Sequence, residues 1–372
     1  MARFAGSLLP SSRPSSRALV LVAALLLLVP RPGASQLEPV LSPGDNVRVG
    51  AILQPVYRYQ GLEGEDDRTG FFLRRARIDI TGQLLEGRVR FRLLPDLAGN
   101  PMPRDAWVEV RGPQGTALRM GQQVVPFHLQ RERPMARAHF GDRALAVRRF
   151  EVSGGRDLGA MGSWTAPDGR AFLSAGAFNG RGMNRPEPTE APLLATRAGI
   201  SLGGAPSSSE TDLDRSPAPV ITLAAGAMSA RRSLLRPRPG FAAEAAADWW
   251  TWTGDLHARY RGLSLVAAWF EQYVTPEGTP QPPEIRGDGW YLSAGWVLPG
   301  HDIELAFRHS EAQWDRRREG GPTRETGGGV TFFHLGHQLQ TRLQFHRIRT
   351  VPGSGVASGN ILTLEHQILL GG

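Results

Sequence analysis

Val47-Arg-Val-Gly-Ala-Ile-Leu-Gln-Pro-Val-Tyr-Arg-Tyr59 puts Val47, Val49, Ala51, Leu53, Tyr57 and Tyr59 on one face of an extended chain and Arg48, Gln54 and Arg58 on the other. A period of two is the mark of a strand, whose successive side chains point to opposite faces. The pattern recurs. Arg88, Arg90 and Arg92 alternate with Val89, Phe91 and Leu93, and Trp250, Trp252, Leu256, Ala258 and Tyr260 alternate with Thr251, Thr253, Asp255, His257 and Arg259. Leu339, Thr341, Leu343 and Phe345 likewise alternate with Gln338, Gln340, Arg342, Gln344 and His346. Most such segments are about ten residues long, the length of a tilted membrane strand.

The same template predicts sixteen strands, near 47–59, 71–82, 87–94, 105–111, 116–125, 157–165, 170–178, 193–202, 219–230, 248–260, 263–273, 289–298, 302–310, 325–335, 337–349 and 360–370. Tight Gly, Pro and Asp turns at 84–87, 112–115, 166–169, 261–262, 299–300 and 336 interleave with longer polar connections at 60–70, 95–104, 126–156, 179–192, 231–247, 274–288, 311–324 and 350–359. Short turns on one rim and long loops on the other define an all-β, antiparallel transmembrane barrel with periplasmic turns and extracellular loops. One connection, 203–218, is long where a short turn is due. A soluble sandwich or lipocalin-like barrel also alternates. Sixteen strands, however, enclose a lumen too wide for apolar side chains to fill. An Arg at the lipid midplane costs roughly 2–4 kcal/mol, so Arg88, Arg90 and Arg92 must face inward.

The N-terminus carries Arg3, Arg13 and Arg17, then an apolar run from Ala18 to Val29, then Pro30-Arg-Pro-Gly-Ala-Ser35. This is the pattern of a secretory signal peptide over 1–35, cleaved near Ser35, with the barrel over 36–372. Cleavage removes four Arg and no acid, leaving 39 Arg against 35 acids. The mature chain is only mildly basic. Gly (45) and Pro (29) make up about a fifth of the 372 residues, against a helical bundle. With no Cys, thiol catalysis, thiolate metal sites and disulfides are excluded. There is no Lys either, so all 43 cationic side chains are Arg. Codon bias produces such a skew, and so does selection for bidentate oxyanion contacts.

Several stretches resemble the phosphate-selective porin O and P family of Gram-negative outer membranes. They are Phe71-Phe-Leu-Arg-Arg-Ala-Arg-Ile78, Asp105-Ala-Trp-Val-Glu-Val110, Leu118-Arg-Met-Gly-Gln-Gln-Val-Val-Pro-Phe127, Arg156-Asp-Leu-Gly159, Phe178-Asn-Gly180, Ile303-Glu-Leu-Ala-Phe-Arg-His-Ser310 and Asn360-Ile-Leu-Thr-Leu-Glu-His-Gln367. The resemblance implies a homotrimer of sixteen-stranded barrels in the outer membrane. It also implies a passive, anion-preferring channel with its third loop folded inward and arginines along the path. The phosphate-specific members carry a lysine cluster that is absent here, so anion preference is implied and phosphate is one oxyanion among several.

On the strand over 71–82, Ala76, Ile78 and Ile80 form the lipid face and Arg75, Arg77 and Asp79 project inward; Arg74 breaks the alternation and needs the rim or a bulge. The expected anion path comprises Arg74, Arg75, Arg77, Arg90 and Arg92 on strands, Arg131 and Arg133 in the candidate constriction loop 126–156, and Arg156, with Asp105 as a supporting acid. The competing reading pairs these arginines with Asp79, Asp105, Glu109 and Glu304 as wall ion pairs, and makes 126–156 a solvated loop. The nine His show no metal-ligand spacing, no cofactor is expected, and no nucleophile motif supports an enzyme. The Arg are dispersed over strands, which disfavours nucleic acid as a partner. The expected function is passive diffusion of small anions through an outer-membrane porin. The alternatives are a non-conducting barrel plugged by 126–156, or an outer-membrane enzyme.

Overall fold

The alternating segments fold as strands that pair antiparallel with their sequence neighbours, and the first closes onto the last. The computed structural model describes residues 44–187, 190–234, 246–278, 280–313, 315–317, 321–350 and 357–371. The expected signal peptide lies outside them. The strands are β1 (Asn46–Leu62), β2 (Arg68–Leu84), β3 (Val89–Asp96), β4 (Met102–Arg111), β5 (Thr116–Val124), β6 (Arg156–Thr165), β7 (Ala171–Phe178) and β8 (Leu193–Leu202). They continue as β9 (Val220–Leu234), β10 (Ala246–Tyr260), β11 (Leu263–Pro276), β12 (Ile285–Val297), β13 (Ile303–Gln313), β14 (Thr323–Leu335), β15 (Leu339–Arg349) and β16 (Gly359–Leu370). The barrel closes through β1 and β16, with Ala51 opposite Leu370 and Tyr57 opposite Leu364. Closure leaves no edge, so every strand's backbone groups face a partner without water, the condition lipid imposes.

The two faces of the wall are inverted relative to a soluble protein. Phe71 is 84% exposed and Val49 66%, with Leu343, Phe345, Leu362 and Phe307 also outward, while the largest fully buried side chains include Arg197, Arg308 and Arg342. On β12 the outward row Trp290, Leu292, Ala294, Trp296 is apolar over seven residues, about 23 Å of strand. Trp250, Trp269 and Trp290 stand at the loop end of this band and Tyr260, Trp296 and Phe332 at the turn end, the aromatic girdles of a membrane barrel.

The rim where β1 begins and β16 ends carries short turns, with one exception. The β8–β9 connection (203–219) turns back into the lumen, where Glu210, Thr211 and Asp212 are buried. On the other rim the first two connections, 63–67 and 97–101, are shorter than the sequence suggests. There β1 and β2, 17 residues each, stay paired out to Gln60 and Arg68, and the expected 60–70 loop is largely strand.

The β5–β6 loop lies inside the barrel and holds two short helices, α1 (Leu129–Glu132) and α2 (Leu145–Phe150). Phe127, Leu129, Leu145, Val147 and Phe150 pack with Met228, Val266, Phe270 and Tyr291, which break the polar inner face of β9–β12. The rings of Phe150 and Phe270 stack at 5.9 Å. Burying each such side chain contributes roughly 1.5–3 kcal/mol, which sets this loop against β9–β12.

Candidate functional site

Two bulges determine which arginines enter the lumen. Gln54 pairs with Arg75 and Pro55 with Leu73, so Arg74 is an extra residue in β2. Leu94 pairs with Asp105 and Pro95 with Pro103, so Arg104 is an extra residue in β4. Each bulge faces a proline, which has no N–H to give the ladder. Arg74 and Arg75 therefore both project inward, as do Arg104 and Asp105.

Arg74 and Arg75 secure the inserted loop. Arg74 bonds Glu365 of β16 and, at 3.0 Å, Asp142 of the loop. Arg75 donates to Gln54 Oε1 (2.5 Å) and to the Gly141 carbonyl (3.1 Å). A Cβ on Gly141 would stand 1.8 Å from Arg74 Nη1, so a side chain there would push the Arg74 guanidinium off its present contacts. Further round the same wall, Arg308 and Arg342 hold the carbonyls of Asp142 (2.7 Å) and Ala138 (2.9 Å), and Arg342 shares Glu365 with Arg74. Arg133, in the loop itself, is buried against the wall, with Nη2 2.8 Å from His257 Nδ1 of β10.

The wall over β2–β6 is different. Arg77 donates to Asp96 (2.7 Å), Arg92 grips Asp79 with two bonds (2.8 and 2.7 Å), and Arg156 grips Asp105 (2.8 and 3.2 Å). Asp105 also lies 3.4 Å from Arg92, so one carboxylate serves two guanidinium groups. Arg119 bonds Glu109 (2.9 Å) and lies over the Trp107 ring at 4.1 Å. Arg90 sits opposite Glu109, and the Nε atoms of Arg90 and Arg104 are buried without a hydrogen-bond partner among the described residues. The charges acting on Arg104 are Arg156, Arg77, Arg131 and Asp96, an excess of guanidinium at one level of the pore. Towards the turn rim this wall opens into a polar cavity of about 1020 Å³ lined by Arg88, Arg90, Arg111 and Arg119 with Glu86 and Glu109.

On the loop side, Arg131 makes a bidentate pair with Glu151, one arm at 2.7 Å. It crosses Gly155 so closely that a Cβ there would lie 1.8 Å from its Nε, and Gly155 has φ +64°. Burial raises the Glu151 carboxyl, but Arg131 and the His128 contact outweigh this and hold it well below the usual carboxylate range. Burial pushes His128 down to about 4. Its Nδ1 accepts the Arg131 amide at 3.3 Å as the cap of α1, which requires the neutral ring.

Of the residues expected from sequence, Arg77, Arg92, Arg156 and Asp105 form one network, with Arg90 beside it on β3. Arg131 faces that group from the loop, whereas Arg74, Arg75 and Arg133 are taken up in docking the loop. Sequence reading missed Arg104 and Arg119 as members. Arg104 falls in the expected 95–104 connection, just before the expected strand 105–111, where no alternation marks it. Among the described residues no three His, Asp or Glu gather as a metal site.

A closed sixteen-strand barrel, apolar outside, with an inserted loop and an arginine-bearing inner wall, is a porin. The sequence pattern of the phosphate-selective porin O and P family matches residues 47–302. The chain belongs to that family, and family and fold together imply the outer membrane of a Gram-negative bacterium. A search of curated proteins finds no match. Among solved structures, the anion-selective porin from Comamonas acidovorans is similar at TM-score 0.62 and 13% identity, over 88% of this chain and 99% of that one. The outer membrane channel DcaP of Acinetobacter baumannii is similar at 0.59 and 10%, over 88% and 98%. The trimer form of OmpT, an outer membrane protein of Vibrio cholerae, is similar at 0.57 and 12%, over 88% and 99%. At these identities the shared property is the fold.

Proposed function

We propose that this porin is a passive, anion-preferring channel whose path runs along one side of the barrel, between the β2–β6 wall and the inserted loop. The loop and the 203–219 turn cover the inner face of β8–β16, while the side chains of Arg92, Asp79 and Arg119 keep about a quarter to a third of their surface open. The observation that carries the reading is that the uncovered wall holds the surplus guanidinium groups: Arg90 and Arg104 without a carboxylate bond among the described residues, and Asp105 shared by Arg92 and Arg156. Positive charge fixed between low-dielectric walls concentrates anions and excludes cations, and a guanidinium fork offers each oxyanion a brief resting point. Segment 126–156 is the constriction, the turn rim faces the periplasm, and residues 1–35 are removed on export. The barrels assemble as homotrimers, a reading that the trimer form of the Vibrio cholerae OmpT supports.

The test is the reversal potential across a KCl gradient. The wild type should favour chloride, most strongly in dilute salt, where the Debye length is about 30 Å at 0.01 M against about 3 Å at 1 M. The double variant Arg90→Gln, Arg104→Gln should move it toward the cation side, and Arg317→Gln in an outer loop should not. Cation selectivity in the wild type, or equal shifts in both variants, overturns the proposal. The double insertion from loop and turn favours a second reading, a barrel too full to conduct. Absence of single-channel steps would select it.

A further inference from the structure

The outer face carries a feature that conduction does not use. At the loop end of β14 and β15, Arg324 stands directly opposite Arg349, and Arg347 is one step nearer the apolar band on the same face. All three side chains are exposed. Arg324 donates to Glu311 of β13 at 2.8 Å, and among the described residues Glu311 is the one carboxylate at this cluster. Arg347 and Arg349 make no hydrogen bond or ion pair among the described residues. The lateral neighbours of Arg347 are Thr326 and Asn360, both neutral. Like charges directly opposite in a sheet repel, with Cβ atoms about 5 Å apart, so the bare wall is unfavourable without an anion over it.

Immediately toward the membrane on the same face lie Phe345, Leu343, Phe307 and Leu362, all more than a third exposed. A cationic cluster at the edge of an apolar band matches an amphiphile with phosphate at its head and acyl chains below, because planar guanidinium groups bind phosphate oxygens in pairs. We propose that Arg324, Arg347 and Arg349 form a docking surface for a phosphate-bearing lipid of the outer leaflet, its acyl chains lying along the Phe345 and Leu343 row. This rests on the orientation given above, with the loop rim outside.

The experiment is native mass spectrometry of the full chain released from detergent micelles doped with bisphosphorylated lipid A or with its dephosphorylated form. The wild type should retain the phosphorylated lipid and not the other. Arg324→Gln, Arg347→Gln, Arg349→Gln together should lower retention by about tenfold or more. Should the triple variant not fold, Arg347→Gln alone, between Thr326 and Asn360, carries the test with a smaller loss in the same direction. Equal retention by variant and wild type overturns the proposal. So does equal retention of the dephosphorylated lipid, which reports an apolar contact only, or full displacement by millimolar inorganic phosphate, which reports a free-anion site. Retention is read in detergent, so failure to conduct and failure to hold lipid are separate results.

Discussion

Asp105 and His128 show how single groups hold the pore in shape. Asp105 is nearly inaccessible, and its two guanidinium partners balance the cost of keeping a carboxylate from water. His128 is the opposite case: it packs against Phe127 and Phe270, its Nε2 is 3.5 Å from Glu151, and it serves as a cap only while uncharged. Its proton affinity falls from 6.5 to about 4 on docking. Between those values the undocked loop binds a proton that the docked loop does not. Docking is therefore complete above about pH 6.5 and weakens as pH falls towards 4, by up to roughly 3 kcal/mol. In the docked loop Glu151 stays charged through this window, because its affinity is held low; it begins to add to the same loss only near the acid end, where the undocked carboxyl protonates. Hydrogen exchange at amides 129–133, corrected for intrinsic rate, should be faster at pH 4.5 than at pH 7, and the dependence should flatten in His128→Gln. Protection that is equal at the two pH values in the wild type would remove His128 as the sensitive group.

The β8–β9 connection is an element whose role comes from where it ends up. Its Glu210 carboxylate accepts the His139 amide (3.1 Å) and the Gln130 side chain (3.0 Å), and its own amide donates to the Arg137 carbonyl (2.9 Å). Asp212 fixes the return by accepting from the amides of Ser216 and Gly262. The turn thus braces the inserted loop from the opposite rim. Glu210→Ala leaves two buried donors without an acceptor, at about 1–3 kcal/mol each. It should lower the thermal midpoint and speed proteolysis after Arg137; no change in either would mean the turn merely lies beside the loop. All sixteen strands were legible in the sequence because lipid outside and water inside demand strict alternation of every strand that meets both. Legibility stopped where that demand lapses. Met228, Val266, Phe270 and Tyr291 face inward against the loop, so parts of β9, β11 and β12 look apolar on both faces and hide its docking site. The length of 203–219 signalled an exception, but a polar, Ser-rich stretch reads alike whether it lies in solvent or in a lumen. The break at Arg74 was readable as a bulge, whereas Arg104, at the start of its strand, had no flanking alternation to violate.

At the scale of the whole molecule, inside and outside are exchanged relative to a soluble protein, and the two rims differ because export is directional. The rim where β1 begins and β16 ends has short turns such as 112–115, closed by the Thr116 amide on the Pro113 carbonyl. The other rim carries the connections 63–67, 179–192 and 277–284. Long connections fold readily on the side the chain crosses to during assembly, which sets the expected topology. A protease-cleavage tag inserted at Asp66 or Gly278 should be cut on intact cells, and one at Gln114 should be cut only after the outer membrane is opened. Gln114 has φ +53° in a four-residue turn, so its insertion must carry flexible flanks for the barrel to close. Heat-modifiable migration on gels shows that closure before accessibility is scored. Cutting at Gln114 with protection at Asp66 and Gly278 would reverse the barrel in its membrane. The Arg324, Arg347 and Arg349 cluster would then face the inner leaflet, and the outer-leaflet lipid assigned to it would be excluded along with the orientation.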